Sequence, residues 1–164
     1  MSTSRPMAAR EGREHQRYSP SGARLVAGVI ALSKDRTKVL LVTSTGREDK
    51  LVVPKGGYET DEPTPEAAAL REAWEEAGVE GKLTRSLGVI EDSRPPKAIE
   101  QVVSFAPKAE YYFFEMDIES EAEIWPESDR RTRHWLTYSQ AKESLIWRPD
   151  LLEALNRSNI NKDL

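Results

Sequence analysis

The fold class that this sequence predicts is α+β, a mixed β-sheet with helices packed on it. Three observations carry that expectation. Two apolar runs near the start, joined by a short polar turn, read as a β-hairpin. One strongly helical segment follows, Thr64 to Ala77. The remaining strands and helices come without the regular alternation of a repeating β-α-β chain.

Taken in order, residues 1–22 hold Ser, Arg, Pro and Gly without periodicity and read as a mobile arm. The domain is expected over residues 23–158, with 159–164 as a C-terminal tail. Arg24 to Leu32 reads as a buried strand, Ser33 to Arg36 as the turn, and Lys38 to Thr43 as the returning strand. Leu51 to Val53 is a short apolar piece stopped by Pro54. The helix that follows has its start written in it: Thr64 as N-cap, Pro65 in the first turn, and Glu66 at the positive end of the dipole. Gly78 supplies the C-terminal stop. Lys82 to Glu91, Glu110 to Met116 and Thr132 to Leu136 read as strands; Ser139 to Ile146 and Asp150 to Arg157 read as helices.

The chain has 164 residues, enough for one domain with a sizeable core. With 38% hydrophobic and 32% charged residues the profile is globular, and no apolar run approaches the ~20 residues of a spanning helix. Met1 to Arg17 lack an apolar h-region, so the expected location is cytoplasmic or nuclear, with export of a processed form left open. The net charge of −4 argues against a general nucleic-acid binder, and no membrane partner is expected. A monomer is favoured. Cysteine is absent, so a metal must be held by oxygen ligands or by His15 and His134.

Glu72, Glu75 and Glu76 lie at i, i+3 and i+4, and at ~100° per residue they share one stripe of the helix. Ala68 and Ala69 share it; Leu70, Ala73, Trp74 and Ala77 fall on the side expected to be buried. Such like charges repel and weaken an isolated helix. Arg71 can neutralise part of the cluster, and Mg²⁺, which takes oxygen ligands, is the natural remainder; Mn²⁺ or another divalent ion is the alternative. By itself such a stripe is more often a solvated acidic face. Just upstream, Pro54-Lys55-Gly56-Gly57 offers paired glycines for close backbone approach or positive φ, so that main-chain groups can face an ion or phosphate.

Read across its full spacing, Gly57 to Val79 resembles the Nudix box, Gly-x5-Glu-x7-Arg-Glu-U-x-Glu-Glu-x-Gly-U, with U a bulky aliphatic residue. Gly57, Arg71, Glu72, Glu75, Glu76, Gly78 and Val79 fall at the right offsets. Two positions depart from the pattern: Ala73 stands at the first U, and Pro63 stands where the isolated Glu belongs, with Glu62 one place early. The wider run Val52 to Gly57, Asp61-Glu62-Pro63 and Arg71 to Gly78 is similar to the diphosphoinositol polyphosphate phosphohydrolases, most of all their fungal-type members.

The resemblance implies an α/β/α sandwich around a mixed sheet and hydrolysis of a phosphoanhydride bond. By it, Glu72, Glu75 and Glu76 hold Mg²⁺ and orient or deprotonate water, Gly56 lends a carbonyl, and Arg71 braces the motif together with Gly78. The implied partner is a small polyanion: a diphosphoinositol polyphosphate losing its β-phosphate, or a diadenosine polyphosphate or polyphosphate chain. The alternatives are a nucleotide-preferring pyrophosphatase, acting on dinucleotides, a nucleoside diphosphate-X or an RNA cap, and a non-catalytic sensor. A phosphate-crowded ring needs many cationic donors. The candidates are Arg17, Arg24, Lys55, Arg131, Arg133 and Arg148, with Ser44, Thr45 and Gly57 beside them. His134 and the aromatics Tyr111 to Phe114 and Trp135 read as structural.

Overall fold

The computed structural model describes residues 5–92 and 108–164; residues 1–4 of the expected arm lie outside them. Among the described residues the elements run β1 (Arg24–Leu32), β2 (Val39–Thr43), β3 (Leu51–Val52), β4 (Lys55–Gly57), α1 (Pro65–Ala77), β5 (Val79–Asp92), β6 (Ala109–Glu121), β7 (Arg133–Leu136), α2 (Tyr138–Leu145) and α3 (Pro149–Arg157). The expected α+β class is the one found, with the strands in one sheet ordered β3-β2-β1-β6-β5. β1 and β6 run parallel and their other neighbours antiparallel, so the sheet is mixed.

The hairpin forms as its turn predicts, with Leu32 opposite Val39. Asp35 shapes the turn by accepting from Ser33 Oγ, Thr37 N and Thr37 Oγ1, and these bonds hold its pKa down to about 2. β1 is buried from Val26 to Leu32 because it is central, which is why it reads as a continuous apolar run. β5 and β6 extend beyond their expected ends, to Val79–Asp92 and Ala109–Glu121, since mutual pairing carries polar residues along.

One strand escapes the sequence reading. Lys55-Gly56-Gly57 is not a turn but β4, antiparallel to β1 with Ala27 opposite Gly56. Neither Gly56 nor Gly57 has positive φ, so of the two uses of the glycine pair the close approach is the one found. Gly28 opposite Lys55 allows the contact, as a Cβ there would meet Lys55 Cβ and the Pro54 carbonyl oxygen at 2.8 Å.

α1 begins as expected: Thr64 Oγ1 accepts from Ala67 N at 3.1 Å. At its other end Gly78 adopts φ +65° and its N–H reaches the carbonyls of Ala73 and Trp74. The expected split into a buried and an open face is corrected. Ala68, Ala69, Glu72, Ala73, Trp74, Glu75, Glu76 and Ala77 are all buried, while Leu70 is only partly so. The helix is packed on more than one side, by the sheet and by residues 5–17 and 122–133.

The two ends also lie against the domain. Over residues 5–22 Gln16 bridges to Glu59, Tyr18 bridges to Arg24, and Trp74 Nε1–H donates to the Pro6 carbonyl at 2.8 Å. In the tail, Ile160 is buried and Asn159 N–H donates to the fully buried Glu115 at 2.7 Å.

A Cβ at position 78 would stand 2.8 Å from the Trp125 side chain as well as in a left-handed backbone conformation. We expect Gly78→Ala to lower unfolding free energy by at least about 1–2 kcal/mol, read as a shift of the urea midpoint; an unchanged midpoint would refute this reading of the cap.

Candidate active site

The glutamates are set where α1 is most firmly held. A helix C-terminus leaves its last carbonyls without intrahelical donors. Here Glu127 N–H donates to the Glu75 carbonyl at 3.1 Å, the Trp125 indole to that of Glu76 at 3.0 Å, and Arg133 Nη1 to that of Ala77 at 3.1 Å. The turn that carries Glu75 and Glu76 is therefore tied from outside the helix.

Their side chains form one ionic cluster. Arg71 donates Nε–H and Nη2–H to the two carboxylate oxygens of Glu62, both at 2.9 Å. Its Nη1 reaches Glu72 Oε1 at 2.8 Å and Glu75 Oε1 at 3.2 Å, and its Nη2 also reaches the Gly57 carbonyl at 2.8 Å. Glu62, the residue one place early in the motif, thus makes the bidentate pair with Arg71, and Glu59 N–H closes the loop onto it at 3.1 Å. Glu76 accepts from Lys55 N at 3.1 Å and pairs with Arg131 Nη2 at 3.2 Å. Gly56 lies against Glu72: a Cβ there would sit 2.2 Å from the carboxylate carbon.

Burial dominates the electrostatics. It pushes Glu72 well above the usual carboxylate range, and the Glu76 charge adds to that. Burial also raises Glu75 and Glu76, against the opposing pull of Arg71 on the first and of Arg131 and Lys55 on the second. Arg71 is held firmly charged: the desolvation it suffers is outweighed by hydrogen bonds and Coulombic pull from Glu62, Glu72 and Glu75.

Five carboxylates (Glu62, Glu72, Glu75, Glu76, Glu127) face four cations (Arg71, Arg130, Arg131, Lys55), a formal excess of one negative charge. The donor set is all oxygen, and a glycine stands where a side chain would overlap Glu72, so these residues fit a hard divalent cation. The arginines are the nearest partners of the carboxylates as they stand: among the described residues no three acidic or histidine groups form a metal-binding cluster.

The expected substrate contacts divide. Arg24, Lys55 and Arg148 adjoin the cluster. Arg24 feels Glu72 and Tyr111, Arg148 Nη2 donates to Tyr111 Oη at 3.0 Å, and Lys55 feels both Arg148 and Glu76. Burial lowers the pKa of Arg24 and of Lys55. Arg148 is buried in a fork with Asp150, at 3.0 and 2.8 Å. Ser44 Oγ accepts from Arg47 N, Thr45 is exposed, and Arg47 of the same loop lies over the Trp147 ring.

Three other arginines are engaged by the protein. Arg131 joins Glu76, Glu127 and the Thr43 carbonyl. Arg133 caps α1 and lies over Trp125, 4.2 Å from the ring centroid. Arg17 donates to the carbonyls of Glu59, Thr60 and Glu62 at 3.0, 3.1 and 2.8 Å. His134 pairs with Thr132 Oγ1 in β7, and His15 is exposed.

The sequence reading missed Tyr111 as a link between cations, Asp150 as the partner of Arg148, and Glu127 as that of Arg131. The last two had local signals: Arg148-Pro149-Asp150 at a helix start, and Glu127 to Arg131 at i, i+4. Tyr111 had none, since parallel pairing of β6 with β1 puts it opposite Val26.

A glutamate-bearing helix clamped beside a glycine strand on a mixed sheet defines a hydrolase of the Nudix class, and the comparisons agree. Residues 22–155 match the NUDIX domain model. The chain belongs to the Nudix hydrolase family, enzymes of pyrophosphate bonds. It is 41% identical over 152 residues to "Nudix hydrolase 13, mitochondrial" of Arabidopsis thaliana, covering 84% of this chain and 74% of that one. It is 46% identical over 81 residues to diphosphoinositol polyphosphate phosphohydrolase 3-alpha of Homo sapiens, covering 49% of each. In fold it is similar to a NUDIX hydrolase from Nitrosomonas europaea, with TM-score 0.66 and 16% identity over 82% of this chain and 87% of that one. The E. coli dihydroneopterin triphosphate pyrophosphohydrolase gives TM-score 0.63 at 16% identity, over 85% and 95%.

Gly56→Ala would drive a methyl group into the Glu72 carboxylate. We expect turnover to fall by about 10²-fold, the size of effect that a ~1 Å misplacement can produce, measured as phosphate release at saturating Mg²⁺. Wild-type turnover in this variant would break the link between β4 and the glutamates.

Proposed function

We propose that this enzyme removes the β-phosphate of diphosphoinositol polyphosphates in a reaction dependent on Mg²⁺, with Mn²⁺ as a substitute. The observation that carries the substrate class is the set Arg24, Lys55 and Arg148, lying beside the glutamates, with Arg148 bonded to Tyr111. Cations withdrawn from water attract a polyanion more strongly than exposed ones. The local likeness to the human diphosphoinositol polyphosphate phosphohydrolase, over half of the chain, supports the same class.

Glu72, Glu75 and Glu76, with the Gly56 carbonyl, would hold the ion. When bound, it neutralises charge developing on the anhydride oxygens and acidifies water. The chain's own residues do the rest. Arg71 and Arg131 fix the carboxylates; Lys55, Arg24 and Arg148 orient the phosphates; Gly57 and the loop bearing Ser44 and Thr45 adjoin them.

A purine-preferring reading needs an open aromatic face. Trp74, Trp125, Trp147 and Tyr58 each carry an arginine over the ring, from Arg5, Arg133, Arg47 and Arg17 respectively. Tyr18, which bridges to Arg24, keeps an exposed ring, so the preference for inositol over dinucleotides rests on the cations and not on the aromatics. A sensor without turnover has no use for three buried glutamates. The plant relatives' names place those proteins in mitochondria or chloroplasts, which lends no support to the cytoplasmic or nuclear expectation.

Turnover should be abolished by EDTA and be several-fold faster on an inositol pyrophosphate than on a diadenosine polyphosphate of equal concentration. The reverse preference would overturn the substrate class. Glu75→Gln and Glu76→Gln should each lower kcat by at least about 10²-fold at near-constant volume. Lys55→Met should raise KM about tenfold, the worth of one charged hydrogen bond. It is a cleaner probe than Arg148→Ala, which strands Asp150 without its partner.

A further inference from the structure

We propose that Arg17 is a positioning residue: it holds the loop 58–63 in the shape that lets the displaced Glu62 reach Arg71, and so sets the metal-binding glutamates. The motif expects its isolated Glu at position 63, where this chain has Pro63. A glutamate one residue early points elsewhere unless the backbone before it is bent. It is bent here: Glu62 N–H donates to the Glu59 carbonyl at 3.0 Å, and Glu59 N–H to Glu62 Oε1 at 3.1 Å.

A turn of this kind leaves carbonyls facing outward, and the Arg17 guanidinium collects three of them, Glu59, Thr60 and Glu62, at 2.8–3.1 Å. Its backbone continues the hold. Arg17 N–H donates to the Tyr58 carbonyl at 3.0 Å, and the His15 carbonyl accepts from Thr60 N at 2.7 Å. Arg10 adds ion pairs to Glu59 at 2.6 Å and Asp61 at 2.8 Å. The guanidinium also lies over the Tyr58 ring, 4.5 Å from its centroid. The Nε, Nη2 and backbone N–H donors of Arg17 are thus directed at the loop, and the loop's one buried acid, Glu62, grips the arginine shared by Glu72 and Glu75. The path from Arg17 to the glutamates runs through two links, the loop backbone and the Glu62–Arg71 fork.

The role rests on the metal-dependent reading above, though not on which polyphosphate is cleaved, and it differs from a direct phosphate contact by Arg17. The test uses the full chain with Arg17→Ala, Arg17→Lys, Glu62→Gln and the Arg17→Ala/Glu62→Gln double variant. Three readouts are taken: hydrogen exchange at the amides of Glu59, Thr60 and Glu62, the dissociation constant for Mg²⁺ alone, and kcat and KM. In Arg17→Ala we expect exchange at those amides to quicken about tenfold and Mg²⁺ to bind about tenfold more weakly, the lower end for groups that orient ligands. kcat should fall with KM nearly unchanged. Arg17→Lys should not rescue, because an ammonium donates from one nitrogen and cannot span the carbonyls that Nε and Nη2 reach from separate positions, and the double variant should be no worse than Glu62→Gln. A raised KM with Mg²⁺ affinity and amide exchange unchanged, restored by Arg17→Lys, would overturn the proposal in favour of substrate contact. Wild-type Mg²⁺ affinity in Arg17→Ala would overturn it while leaving the metal reading intact; a wild-type chain that binds no Mg²⁺ would sink both.

Discussion

Arg71 is shared by more carboxylates than it can neutralise, and the rest of the site follows from that shortage. One guanidinium serves Glu62, Glu72, Glu75 and the Gly57 carbonyl. Its planar fork suits it to two acceptors at once on each edge, which a lysine could not manage. Because the partners come from α1 and from the loop ahead of it, the arginine fixes the two segments against each other. A buried arrangement of this sort is a poor source of net stability, since desolvation offsets most of the attraction, but breaking it leaves a charge stranded at a cost of about 3–5 kcal/mol. It therefore acts as a geometric lock more than as glue.

The sheet contributes by proximity. β4 could not lie so close to β1 without Gly28, nor could Glu72 lie against it without Gly56. Parallel pairing of β6 with β1 then brings Tyr111 beside Val26, where it links Arg148 from the start of α3 to the neighbourhood of Arg24. Residues 24, 55 and 111 are assembled by strand register and residue 148 by the packing of α3, not by any local motif.

This difference in origin accounts for what could be read from the sequence. The helix limits, the Thr64 cap, the Gly78 stop and the hairpin are local, and their signals lie within a few residues. The glutamate stripe and its spacing were equally plain. The strand character of Lys55 to Gly57 was hidden because three residues with two glycines carry no period, and only the partner strand makes them a strand. For arginines the sequence offers charge without partners. Arg131 and Arg133 were reasonable substrate candidates by position, yet Glu76, Glu127, Thr43 and Ala77 claim them, and all but Glu127 come from distant parts of the chain. Pro6 and Arg10 showed no role, and Arg17 only that of a substrate candidate, for the same reason: their partners, Trp74 and residues 59–62, lie more than forty residues on.

Burial decides between the two readings of an acidic stripe. A solvated acidic face costs a helix little, because water screens the repulsion. Glu72, Glu75 and Glu76 are instead 6%, 6% and 8% exposed. Their folded pKa values lie above the unfolded ones, so by linkage the cluster lowers stability at pH values above those folded pKa values. The penalty fades as pH falls through them and is absent below the unfolded pKa. Hydrophobic residues at the same positions would carry no such penalty, and one further arginine would offset the remaining formal charge. The fold uses neither remedy. It leaves a formal excess of negative charge among carboxylate oxygens, beside partly buried cations, which accords with the proposed binding of a divalent ion and a polyanion.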